Sequence, residues 1–294
     1  MVIFHDPQCA TYGSSARPEQ PARVTRSAEH LRAAHPDWTW QTPPPGTSVT
    51  DDILLLAHTP AHLKRLAQPR DFDADTPYFP GIAVHARRAV ASAVAATRHA
   101  LTQRTPVFSL MRPPGHHATA GEAMGFCYLN SIAVAALAAH RDLGAARVAV
   151  WDFDAHHGNG TESILHEAGS AFFFASVHQL PGYPGTGAGD LGPRIRNWPV
   201  APRTPRPRHM AALEASLKAV VAFAPDLILI SAGFDAYAHD PITEMTLERD
   251  DFATLGRWLR ETGLPAAAIL EGGYSPDLPL LIDAFLTAWD NTAS

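Results

Sequence analysis

Arg147-Val148-Ala149-Val150-Trp151-Asp152-Phe153-Asp154-Ala155-His156-His157-Gly158-Asn159-Gly160 runs from a short apolar segment straight into a polar turn flanked by glycines. Its first half, Arg147–Phe153, has no polar alternation, which marks a strand covered on both faces in a parallel sheet. The same signature recurs at Val2–Phe4, Pro106–Met111, Ala171–Val177, Leu227–Ser231 and Ala266–Leu270. Longer Ala/Leu/Arg segments lie between these runs, and helices are expected at Pro21–Ala34, Pro60–Ala67, Ile82–Thr102, Ser131–Leu143, Gly160–Glu167, Arg208–Phe223, Glu248–Glu261 and Pro279–Trp289. The alternation predicts one three-layer α/β/α domain over residues 1–294, with a mostly parallel central sheet between helical layers. Thr42–Gly46 and Gly182–Gly192 read as loops, and Pro199–Pro207 as an exposed connection.

In such sheets ligands bind beyond the carboxyl ends of the strands. Nearly every unusual polar cluster sits there: Pro113-Pro114-Gly115-His116-His117, Asp152 to His157, Ser176-Val177-His178, Ser231 to Asp235, and Glu271-Gly272-Gly273-Tyr274. On an extended strand end Asp152, Asp154 and His156 would share one face, because side chains alternate with period two. Two carboxylates and an imidazole on one face suit a divalent metal better than a core. Asp154, His156 and Asp235 would leave an open position, as a catalytic zinc site requires. A lone Asp or His in such a place is more often a cap or turn residue; the spacing is what favours the metal.

His116 and His117 follow the rigid Arg112-Pro113-Pro114-Gly115 approach, which fixes where the rings point. Beside an activated water, one imidazole can carry the proton while the other stabilises charge, with Asp152 as the spare carboxylate partner. Tyr274 follows a Gly272-Gly273 turn and can donate to a developing oxyanion. Gly125-Phe126 and Gly182-Tyr183-Pro184-Gly185 supply aromatic rings in glycine-flanked loops, suited to a narrow apolar channel.

Composition bounds the rest. The 294 residues are 46% hydrophobic and carry a net charge of −6, which supports a substantial core and argues against a general nucleic-acid binder. Cys9 and Cys127 form no CxxC pair, so neither a disulfide framework nor a thiolate zinc site is expected. With no signal-like N-terminus and no run long enough to span a membrane, a cytoplasmic protein without membrane partners is expected. The sequence leaves the oligomeric state open, homo-oligomer included.

Taken together, Arg112–Ala118 (RPPGHHA), Gly125–Asn130 (GFCYLN), Asp152–Thr161 (DFDAHHGNGT), Ser176–His178, Tyr183–Gly187 (YPGTG), Ala232–Ala236 (AGFDA) and Glu271–Tyr274 (EGGY) resemble the zinc-dependent histone deacetylase family. That family includes acetylpolyamine amidohydrolases and acetoin-utilisation proteins on the arginase-like fold. The resemblance implies Zn2+, or Fe2+ in its place, on Asp154, His156 and Asp235. It implies His117 as general base and acid, His116 with Asp152 as electrostatic partner, and Tyr274 polarising the amide carbonyl. A monovalent cation, usually K+, would take side chains of Asp152 and Ser176 and carbonyls of Asp154, His156 and Val177. Gly125, Phe126, Tyr183 and Ile242 would line the substrate tunnel, with Gly273 close to the ligand. Asp75 would hold substrate backbone at the rim, and Arg23 would serve the channel for leaving acetate.

Asn159 and RPPGHHA are similar to class II-like members, and Asn159 cannot raise the pKa of His117 as a carboxylate would. Arg17 stands before Pro18-Glu19 where many relatives have His, and no role carries over to it. Ile242, not an acid, follows Asp240-Pro241, which favours acyl-lysine in a protein or peptide over a small acetylated polyamine; Glu244 could compensate. The rival readings are an acetylpolyamine deacetylase, a two-Mn2+ ureohydrolase, which needs more bridging carboxylates than can be placed, and a non-catalytic reader of acylated ligands.

Overall fold

The computed structural model describes residues 1–290; 291–294, the end of the expected 1–294 domain, lie outside the described residues. Eight strands form one sheet: β1 (Val2–Phe4), β2 (Thr39–Gln41), β3 (Val107–Ser109), β4 (Val148–Asp152), β5 (Phe172–Gln179), β6 (Ile195–Val200), β7 (Leu227–Ala232) and β8 (Ala266–Leu270). Their order is β2-β1-β3-β8-β7-β4-β5-β6, and every neighbouring pair is parallel. The helices are α1 (Ala22–Ala34), α2 (Asp51–Leu54), α3 (Pro60–Leu66), α4 (Ile82–Gln103), α5 (Ser131–Asp142), α6 (Asn159–Ala168), α7 (Arg206–Ala222), α8 (Arg249–Glu261) and α9 (Leu278–Asp290).

Alternation along each strand feeds two separate cores. In β4, Val148 and Val150 pack with the alanines of α4 and α5, while Ala149 and Trp151 face the side covered by α1, α7, α8 and α9. The helix starts follow local chemistry. Thr59 caps α3 ahead of Pro60, Asn130 accepts the Ala133 N–H at the head of α5, and Glu248 with Asp251 forms a reciprocal capping box for α8. Among the described residues no helix is long and apolar enough to cross a membrane.

Two expectations are corrected. β2 and β6 are strands, so the connection expected from Pro199 begins only after Val200. β4 ends at Asp152, and Asp154 and His156 stand in a bend beyond it, not on an extended face.

The strand order matters for function. β3, β8, β7 and β4 are consecutive in the sheet, so the segments after these four strands, far apart in sequence, emerge side by side.

One buried group makes the fold acid-sensitive. His58 donates from Nδ1 to the Thr119 carbonyl (3.0 Å), and its Nε2 accepts the Asn130 N–H (2.9 Å), so the ring is neutral. Burial, then the neighbouring His62, pushes it down to about 3. Below about pH 6.5 the unfolded chain takes up this proton and the folded chain does not. Stability contributed above that pH is therefore lost on acidification, by about 1.4 kcal/mol per pH unit. Urea denaturation of His58→Gln between pH 6.5 and 4.5 should show a pH slope shallower by this amount; equal slopes would refute the assignment.

Candidate active site

The bend after β4 and the turn after β7 bring three ligand-type side chains together. Ligand atoms of Asp154, His156 and Asp235 all lie within 4.8 Å of one another, and both carboxylates are fully buried. Backbone amides orient the acids: the Ala155 N–H donates to Asp235 Oδ1 (2.8 Å), and the Gly272 N–H to Asp154 Oδ2 (2.7 Å). Gly272 is required sterically, since a Cβ there would overlap both carboxylates. His156 Nδ1 lies 2.9 Å from Asp235 Oδ2 and 3.2 Å from Asp154 Oδ1. One imidazole proton cannot serve two buried carboxylates well, whereas a divalent cation among the three matches the whole donor set. The residues therefore fit a metal of the zinc type.

Beside this cluster stand two histidines with opposite electrostatics. His116 Nδ1 faces Asp152 Oδ2 (3.1 Å), and its Nε2 lies 3.8 Å from Asp154 Oδ1. Burial alone would depress its pKa, but Asp154 and Asp152 outweigh it and hold the ring up to about 10. His117, whose ring centroid is 4.1 Å from that of His116, goes the other way. Burial first, then the positive charges of His116 and His156, hold it well below the usual imidazole value. Its Nδ1 donates to Asn159 Oδ1 (2.8 Å), which leaves Nε2 free of a proton. Adjacent imidazoles split in this way provide one cation and one base.

A cavity of about 260 Å³ leads to this chemistry. His117, His156 and Tyr274 line it with Gly125, Phe126 and Tyr183; Ile242, Asp75, Arg17 and Pro18 complete the lining. A Cβ on Gly125, whose φ is +55°, would press against His117 and Tyr183, so only glycine keeps the passage open there. Phe126 is also left-handed (φ 68°), and its N–H is held by Thr76 Oγ1 at 3.1 Å. A larger concavity, about 920 Å³ between α4 and the segment after β2, contains none of these chemistry-bearing side chains.

The histone deacetylase domain model matches residues 17–287 of this chain. The chain belongs to the histone deacetylase family. It is 35% identical to a probable deacetylase of Methanothermobacter thermautotrophicus, over 94% of this chain and 86% of that protein. It is 38% identical to the acetylpolyamine amidohydrolase of Mycoplana ramosa, over 70% of this chain and 63% of that one. Among solved structures it is similar to the HDA15 HD domain, with a TM-score of 0.88 and 30% identity, covering 98% of this chain and 90% of that chain. The arginase/deacetylase-like three-layer fold is therefore established.

Within this histone deacetylase family member, the other expected site residues fall as follows. Asp152 pairs in register with Ser176 of the neighbouring strand, and the Ser176 hydroxyl contacts His178 Nδ1 (2.9 Å). No hydrogen bond among the described residues reaches the carbonyl oxygens of Asp154 and His156. Ile242 and Tyr183 are 37% and 36% exposed, so the passage opens between apolar side chains. Gly273 does not line the cavity; its carbonyl accepts from Arg23 Nε at 2.7 Å. Arg23 Nη2 also donates to the Glu271 carbonyl, and the guanidinium lies 4.8 Å over the Tyr274 ring. Arg23 is thus a clamp on the Tyr274 turn as well as a lining residue of a small cavity behind it.

Two acids went unassigned in the sequence. Glu271 Oε2 accepts the N–H groups of Gly115 (2.6 Å) and His116 (3.1 Å), and Asp240 holds the Tyr274 turn. The only sequence signal for either was its place beside a quoted residue, in Glu271-Gly272-Gly273-Tyr274 and Asp240-Pro241-Ile242.

Proposed function

We propose that this chain is a metal-dependent deacetylase that hydrolyses Nε-acyl-lysine in peptides or proteins. The observation that carries the reading is the narrow cavity whose lining joins the neutral His117, the His156 cluster and the Tyr274 ring. A divalent ion on Asp154, His156 and Asp235, Zn2+ or Fe2+ in its place, would supply polarisation of the acyl carbonyl and a lowered pKa of water. His117 Nε2 takes the proton of the attacking water and passes it to the departing amine, with Asn159 fixing its tautomer. His116, charged beside Asp152, stabilises the negative charge that develops. The Tyr274 hydroxyl donates to the carbonyl oxygen as it becomes an oxyanion. In this reading Asp152, Ser176 and the carbonyls of Asp154, His156 and Val177 would hold K+. Asp75 takes substrate backbone at the mouth, and the acetate leaves past Arg23. The whole chain acts as one catalytic domain in a reducing cytoplasm, where the buried Cys9 and Cys127 stay thiols.

Asp75 at the mouth also favours a second reading, deacetylation of a small cationic N-acetylpolyamine. Against it stand Ile242 in the gating position, Arg17 in the same lining, and the engagement of Glu244 by Arg203 at 2.5 Å. The test is acetate release from an acetyl-lysine peptide by chelator-stripped protein, with and without one equivalent of Zn2+. The expected outcome is zinc-dependent release, with kcat/KM higher for the peptide than for N-acetylputrescine or acetylated spermidine. A reversed preference would establish the polyamine reading, and no release of either amide by folded, zinc-loaded protein would overturn both.

A further inference from the structure

The turn that carries Tyr274 has almost no freedom of its own. The Glu271 and Gly273 carbonyls are taken by Arg23, the Gly272 N–H by Asp154, and the Gly272 carbonyl by the Phe234 N–H (3.1 Å). The two amides nearest the phenol are both held by one carboxylate. Asp240 Oδ2 accepts the N–H of Tyr274 at 2.7 Å and that of Ser275 at 3.2 Å. Its other oxygen, Oδ1, accepts the N–H of Ile242 at 3.1 Å. Asp240 is only 6% exposed; burial, then Asp235, pushes its carboxyl up to about 7 while the Tyr274 and Ile242 amides pull against the rise, and hydrogen bonds in such a buried place are strong and directional.

We propose that Asp240 is a positioning residue, whose carboxylate sets the reach of the Tyr274 hydroxyl and ties it to Ile242 at the tunnel mouth. The inference rests on the oxyanion role given to Tyr274 above. A carboxylate is suited to the task because both of its oxygens only accept. An Asn at 240 would have to point an amide N–H₂ at one of these donors, leaving either the Tyr274 turn or Ile242 unheld. Because the hydroxyl is used only as the oxyanion forms, a displaced Tyr274 loses turnover and not ground-state binding.

The experiment compares Asp240→Ala, Asp240→Asn, Tyr274→Phe and Asp240→Ala/Tyr274→Phe for acetate release, metal content, and calorimetric binding of a non-hydrolysable acyl-lysine analogue. Expected are a 10- to 50-fold fall in kcat for Asp240→Ala, a smaller one for Asp240→Asn, and KM, analogue affinity and metal content within about twofold of the parent. The double variant should be no slower than Tyr274→Phe alone, since there is no longer a hydroxyl to place. An effect that multiplies in the double variant, or a loss of metal or analogue binding that accounts for the fall, would mean that Asp240 merely supports the fold. An active Asp240→Ala beside an inactive Tyr274→Phe would sink this proposal alone. An active Tyr274→Phe would remove the oxyanion reading and this inference with it. Should Asp240→Ala not fold, Asp240→Asn, which keeps the shape, decides by the same comparison.

Discussion

His117→Ala is expected to lower kcat for acetate release by about 10²–10⁴-fold, the span expected when a single group both removes and returns the proton. The size of the effect follows from the split between the two imidazoles. His116 is held charged by Asp154 and Asp152 and has no lone pair to offer, so it cannot stand in as the base. His117 keeps a free Nε2 because Asn159 takes its Nδ1 proton. It lies outside the Asp154, His156, Asp235 cluster, so bound zinc, measured by atomic absorption, should remain stoichiometric. His116→Ala is expected to be milder, because it removes a charge and not the proton carrier. Near-parental turnover in His117→Ala, or a fall explained by lost zinc, would overturn the assignment.

The second large effect is expected from Tyr274→Phe: a loss of about 10²–10³-fold in kcat, with KM little changed, as for removal of one oxyanion donor. Burial holds this phenol well above its ordinary pKa against the pull of Arg23, with Asp235 and Asp154 adding to the rise, so it remains a donor wherever the protein is folded. Phe keeps the ring against Phe126, at 5.7 Å between centroids, and beneath Arg23. Thermal stability should therefore hold, which separates lost chemistry from a lost fold. A kcat within a few-fold of the parent would assign the oxyanion to another donor.

The central strands were legible because each is an apolar run buried on both faces; β8 falls at Ala266–Leu270 as read. The two that escaped notice, β2 and β6, are the sheet edges, where one side lacks a partner and the burial pattern is mixed. Pro199, which has no N–H to give a ladder, is tolerated in β6 for that reason and hid the strand. The convergence of the polar clusters was legible from their places after strands. The period-two argument for Asp154 and His156 named residues that the structure does bring together, but through the wrong backbone, since a bend and the partners Asp235 and Gly272 gather them. Asp240 and Glu271 could not be assigned, because they bind backbone amides up to 156 residues away, and a backbone amide leaves no residue-type signal.

The Arg23 clamp has a consequence for biosynthesis. Its hydrogen bonds reach across 248 and 250 residues, from the first helix to the turn after the last strand. A nascent chain emerging as far as Asp235 already contains the Asp154, His156 and Asp235 side chains, while β8, the Gly272 amide that orients Asp154 and the carbonyls that Arg23 grips are still to be made. The N-terminal helix thus acquires this partner in the fold only after the segment through Gly273 has been made.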